Sequence, residues 1–243
     1  MAQQSRSLVR QRISGALLIA GAVLGTIGNA LHPHTASPDP AATVQAIAQN
    51  GAWVAIHLAI IVAILLIIGG LVGLAEEFRE SSAEPLARLG LATALIGGTV
   101  VTVSTALDGF GRKALAVALA EAPASEAATA LRIAIAANDA QFGLWSIGML
   151  VFFGATFACF GGAILASRQF PAWFGWVALV GAAGSASAAL LQIAANGQVQ
   201  AAETIFLASS ILLTLWTLAV GVRLWRGPSL DVAAEPSLAP AGR

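Results

Sequence analysis

The sequence has no tyrosine, one cysteine and few charges, with only 10% of its 243 residues Asp, Glu, Lys or Arg. Soluble domains carry about a quarter charged residues, so this scarcity excludes an ordinary soluble fold and a charge-rich disordered regulator. Lys plus Arg and Asp plus Glu number twelve each, which removes the basic field that a nucleic-acid binder needs. The lone Cys159 lies in the apolar stretch FGATFACFGG; it forms no intrachain disulfide and reads as a small buried hydrophobe. Also missing are HExxH, GxSxG, a phosphate-binding loop and paired cysteines, so no catalytic signature is present and the reading leans away from an enzyme. Lys113 is the single lysine, and with the heavy use of Ala and Gly this suggests a bacterial source.

Apolar residues make up 58% of the chain, and the mean hydropathy is +0.83. Six apolar runs approach or exceed the roughly 20 helical residues needed to cross a hydrocarbon core: 13–31, 53–74, 90–107, 142–165, 173–193 and 205–222. None alternates as a barrel strand would, and helices satisfy their own backbone groups in lipid. The expected fold is therefore all-α: a polytopic bundle of six transmembrane helices over 13–225, a tail at 1–12 and a disordered tail at 226–243. Nine basic residues flank the spans on the side of the termini, against Arg112, Lys113 and Arg132 on the other. By the positive-inside rule both termini are cytoplasmic, in the plasma (inner) membrane. The first span could pass for a secretory signal ending at Gly28-Asn29-Ala30, but its apolar run is too long, and a retained helix is preferred.

Between the spans, Asp39 and Pro40 are suited to start a short surface helix over 41–49. Asp108-Gly109 reads as the start of the longest loop, with helical pieces at 112–121 and 125–138 separated by Pro123, the second capped by Ser125. Trp53, Trp145, Trp173, Trp176 and Trp225 read as interfacial anchors and Trp216 as core. Asn29 is expected to hydrogen-bond between helices. Two similar glycine-and-proline segments, around Gly69-Gly70 with Pro85 and around Gly161-Gly162 with Pro171, read as convergence on small residues more than as a duplication.

Residues at i, i+4 and i+7 share a helix face. On that spacing Gly21, Gly25 and Gly28 lead to His32. Gly181 and Ser185 lead to Gln192 and Asn196, and Gly221 leads through Thr217, Thr214 and Ser210 to Glu203. Thr99, Thr102 and Thr105 drift toward Asp108, and Ser146 aligns with Asp139. Each stripe ends in its strongest polar group on the side away from the termini, where His34 and His57 also fall. The candidate ligand-binding set is thus His32, His34, His57, Asp108, Asp139, Gln192, Asn196 and Glu203, gathered in a polar vestibule closed below by small residues. Within it His32, His34, His57 and Asp108 are candidate metal ligands, since imidazole with carboxylate suits Zn²⁺, Cu²⁺ or iron. Two features pull the other way. The helical face of His57 carries Ile61, Ile64 and Ile68, which directs it to another neighbour or to lipid headgroups. Pro33 keeps His32 and His34 from forming a helical ligand pair. Any cofactor stays open, as do self-association and a place in a larger membrane complex; beyond the bilayer and a small ligand, no partner is indicated.

The opening span RISGALLIAGAVLGTIG, the lead-in Phe170-Pro171-Ala172-Trp173-Phe174-Gly175, and a last span with Trp216 and Gly221 before a basic end resemble one group of bacterial six-helix membrane proteins. That group is domain of unknown function 4386. The likeness runs from about Arg12 to Arg226 and implies fold and topology but no chemistry. The His32-Pro33-His34 segment departs from it. Three readings follow: a membrane protein of unknown activity binding a small ligand in an outward-facing vestibule; a metal- or haem-binding redox protein; and a passive facilitator or accessory subunit.

Overall fold

The computed structural model describes residues 2–33 and 40–227. His34, Asp39 and the tail beyond 227 lie outside the described residues. The elements are α1 (Ala2–Leu31), α2 (Pro40–Gln49), α3 (Trp53–Glu77), α4 (Glu84–Ala106), α5 (Lys113–Glu121), α6 (Ala127–Gly148), α7 (Phe157–Ser167), α8 (Ala172–Ala195) and α9 (Gln200–Arg226). Two π-helical segments, Leu107–Arg112 and Met149–Thr156, join α4 to α5 and α6 to α7 without a break. Six continuous helical runs are long and apolar enough to cross a membrane: Leu8–Leu31, Trp53–Glu77, Glu84–Glu121, Ala127–Ser167, Ala172–Ala195 and Gln200–Arg226. By length and hydropathy the chain is a multi-pass membrane protein.

The third and fourth spans are longer than the sequence reading expected. At Asp108-Gly109 the chain does not leave the helix, because a π turn takes up the extra residue and the helix resumes at Lys113. It stops at Ala122, which is extended before Pro123 as prolines require. The second helical piece runs straight into the fourth span. Ser125 is not its cap: the Pro123 carbonyl accepts from the backbone N–H of Glu126 (2.8 Å) and Ala127 (3.1 Å) instead. The short surface helix forms, beginning at Pro40.

The spans close into a ring. Each packs on the next along the chain, and the first also packs on the sixth. Gln11 Nε2 donates to Glu77 Oε2 at 2.6 Å, which brings the start of the first span beside the end of the second, so the described ends of the chain share one face. Lipid supplies no hydrophobic drive between helices, so contact depends on close approach of small residues. A Cβ on Gly15 would lie 2.6 Å from the Gly221 carbonyl oxygen, and one on Gly175 would lie 2.8 Å from that of Gly161. The glycine pairs of the sequence thus serve helix contacts. On the side of the termini the ring is filled by Leu18, Leu71, Leu74, Phe78, Phe157, Phe160 and Trp216, all buried. Trp216 Nε1 donates to the Phe174 carbonyl at 2.7 Å, as a buried indole must find an acceptor. Trp173, Trp176 and Trp225 remain exposed as anchors, whereas Trp53 is fully buried and Trp145 packs edge-to-face on Phe153 and Phe206. Asn29 donates to the Gly25 carbonyl of its own helix, not across to a neighbour.

Gly221→Val forces the first and sixth spans apart at their tightest contact. It is expected to cost about 1–3 kcal/mol, the range for overpacking, read as an earlier midpoint in a detergent-denaturation titration.

Candidate functional site

Away from the termini the ring does not fill. A cavity of about 760 Å³ remains, lined by residues from every span and from α2 and α5. Five of the candidate residues line it among helical spans: His57, Asp108, Asp139, Gln192 and Glu203; His32 lines it just past the end of α1. Asn196 does not line it: it ends α8 in the left-handed region (φ 49°) and is exposed.

The densest part of the cavity wall is built on the π turn. This turn swings Gly109 onto α3 so closely that a Cβ there would sit 2.5 Å from the His57 Cβ. Asp108, one residue earlier, meets His57 and His32 from the third span. His57 Nε2 lies 3.2 Å from His32 Nε2 and 3.4 Å from Asp108 Oδ2, and His32 Nε2 is 3.9 Å from the same oxygen. His57 is 1% exposed. It therefore faces the ring and not the headgroups, because the π turn supplies a polar partner that helical spacing on α3 alone could not reveal. Its Nδ1–H donates to the Trp53 carbonyl at 2.7 Å, which fixes the ring and leaves Nε2 pointing at His32 and Asp108. Trp53 Nε1–H in turn donates to the Asp108 carbonyl at 2.9 Å, locking the second span to the third. Burial, followed by the neighbouring His57, holds the His32 imidazole pKa below its ordinary value, which favours the neutral ring.

Arg112 Nη1 pairs with Asp108 Oδ1 at 2.7 Å, one helical turn away and equally shielded, at 13% exposure each. Oδ2 is left facing the imidazoles. The guanidinium also lies 6.0 Å over the Trp53 ring. Lys113 Nζ donates to the carbonyls of Ile47, Ala48 and Asn50 at 2.9, 2.8 and 2.9 Å. All three ammonium donors are satisfied at the C-terminal end of α2, where the helix dipole favours a cation. The sequence reading counted Arg112 and Lys113 only as loop charges. The signal available was that the single lysine borders an apolar helical piece.

Across the cavity, Ser146 Oγ lies 3.2 Å from Gln192 Oε1, both buried, and Gln141 Nε2 donates to Ser104 Oγ at 3.1 Å. Phe142, Trp145 and Phe206 form an aromatic wall near Glu203. Asp139 sits exposed at the rim. Thr99, on the stripe that leads toward Asp108, faces outward and donates to the Leu95 carbonyl of its own helix.

The profile of a domain of unknown function, DUF4386, matches residues 13–222. The chain belongs to the DUF4386 family. The matched stretch takes in all six spans and includes His32, His57 and Asp108. No curated protein and no solved structure matches the chain.

Lys113→Met strips α2 of its three-carbonyl anchor. The loss is expected to be about 2 kcal/mol, in the range of a charge-assisted hydrogen bond, and confined to α2. Hydrogen exchange should quicken across 40–49 while α3 and α8 keep their protection.

Proposed function

We propose that this DUF4386 protein binds a small organic cation in a vestibule open to the outside of the plasma (inner) membrane of a bacterium. One observation carries the reading. The cavity of about 760 Å³ falls within the size of known ligand pockets, roughly 300–1,000 Å³. Its carboxylates outnumber its cations: Asp108 is matched by Arg112, while Asp139 and Glu203 have no ion-pair partner among the described residues. A carboxylate excess beside Phe142, Trp145 and Phe206 suits an ammonium group, attracted by charge and by the aromatic faces. The amides of Gln141, Gln192 and Gln198 add hydrogen-bonding capacity for the rest of such a molecule. A facilitator is disfavoured, because Phe152, Phe157, Phe160 and Trp216 fill the path below the vestibule.

The orientation rests on the basic residues, nine on the side of the termini against three. Ser125→Cys in intact cells should react with a membrane-impermeant maleimide, and Ser81→Cys should not. The opposite pattern would turn the vestibule to the cytoplasm.

Binding is tested on the purified chain by tryptophan fluorescence, using tetramethylammonium and choline against a neutral tert-butyl alcohol of similar size. The cations should bind and the alcohol should not. Glu203→Gln should weaken cation binding roughly tenfold, about 1.4 kcal/mol, near the low end for a contact to a charged group. Equal binding of cation and alcohol would refute the reading.

A further inference from the structure

We infer that His32, His57 and Asp108 form a three-ligand site for a divalent transition metal of the Zn²⁺ class, with its fourth position open to the vestibule. The argument starts from edge lengths. Metal–ligand bonds of about 2.0–2.1 Å at tetrahedral angles hold neighbouring ligand atoms about 3.3 Å apart, and right angles would hold them about 2.9 Å apart. His32 Nε2, His57 Nε2 and Asp108 Oδ2 stand 3.2, 3.4 and 3.9 Å from one another. Two edges match the tetrahedron, and the third closes with a small turn of the half-buried His32. Among the described residues these three are the group whose ligand atoms converge this way.

The outer partners are those a metal site needs. A metal-ligating imidazole almost always donates its other ring N–H to a carbonyl or carboxylate, which orients the ring, and His57 Nδ1 is so placed on the Trp53 carbonyl. The carboxylate divides its oxygens, Oδ1 to Arg112 and Oδ2 to the imidazoles. Two imidazoles and one carboxylate are borderline donors, which suit Zn²⁺ and its neighbours over Mg²⁺ or Ca²⁺. His32 is 28% exposed and all three residues line the vestibule, so an ion reaches them from water. Haem is a poor fit. Its axial ligands stand on opposite faces of the porphyrin, and two ring nitrogens at 3.2 Å leave no space for the plane.

Three protein ligands with an open fourth position is the arrangement of metal sites that act on a bound molecule, not of purely structural ones. The metal would hold water or an oxygen-bearing group of whatever occupies the vestibule. This inference shares the vestibule with the proposed function but does not use Glu203 or the aromatic wall, so either can fail without the other.

The test uses the purified full-length chain in mild detergent, stripped with a chelator and titrated with Co²⁺. One Co²⁺ per chain is expected, with the intense visible absorption of tetrahedral cobalt, displaced by Zn²⁺. Loss of an outer-shell partner weakens metal affinity about 10–100-fold, so loss of a ligand should do at least that. His32→Ala, at a helix end outside the span, should therefore abolish the band while keeping the elution profile and helical circular dichroism of the parent. Asp108→Asn should do the same, and if it fails to fold, His32→Ala alone decides. Asp139→Asn, at the rim, should leave the band intact. Absence of bound cobalt, or cobalt retained by His32→Ala, would mean a hydrogen-bonded His–His–Asp cluster only and would overturn the inference. The choline titration on the metal-free chain reports separately on the organic-cation reading.

Discussion

The junction of the second and third spans governs the polar end of this molecule. Gly109 lies against His57, Trp53 reaches across to the Asp108 carbonyl, and the Asp108 carboxylate turns toward two imidazoles. Each contact needs the others. A side chain at position 109 would push the helices apart, and a regular α-helical turn would alter the direction of Asp108. The π turn is the device that lets a continuous helix present a carboxylate at this point, and such turns recur at functional sites in other folds.

The two ends of the bundle follow different rules. Near the termini, glycines let helices approach to backbone contact and aromatic rings fill what remains. At the far end the side chains are polar, and a polar group in a ring of helices must find a partner or meet water. Gln192 finds Ser146, Gln141 finds Ser104, and Asp108 finds Arg112. Asp139 and Glu203, without an ion-pair partner among the described residues, line the cavity beside these pairs. The vestibule is thus less a gap in packing than the place where polar groups of all six spans, paired and unpaired, collect.

Much of this was legible in the sequence. Six apolar runs announced six spans, and helical spacing carried Gly21, Gly25 and Gly28 to a shared face that does pack on the second span, against Ile60, Ala63 and Ile67. The same arithmetic gathered His32, Asp108, Gln192 and Glu203 at one end. It failed where the helical period changes. Asp108-Gly109 has the look of a loop, and nothing in local composition distinguishes a turn that leaves the helix from one that merely widens it. For the same reason His57 looked misdirected: its partners come from another span. The second π segment, Met149–Thr156, lies in a uniformly apolar run and left no trace in the pattern. Lys113 was visible, but its acceptors are carbonyls, which every residue has.

Ring closure has a consequence for assembly. Gly15 of the first span packs on Gly221 of the sixth, far along the chain, so this seam stays uncovered until the last helix is made, while Gly21, Gly25 and Gly28 already meet the second span. During synthesis the early spans therefore wait in the bilayer as an open crescent. That crescent is the state in which a chaperone, a lipid or a second copy would compete for the seam, and the last helix to arrive ends the competition.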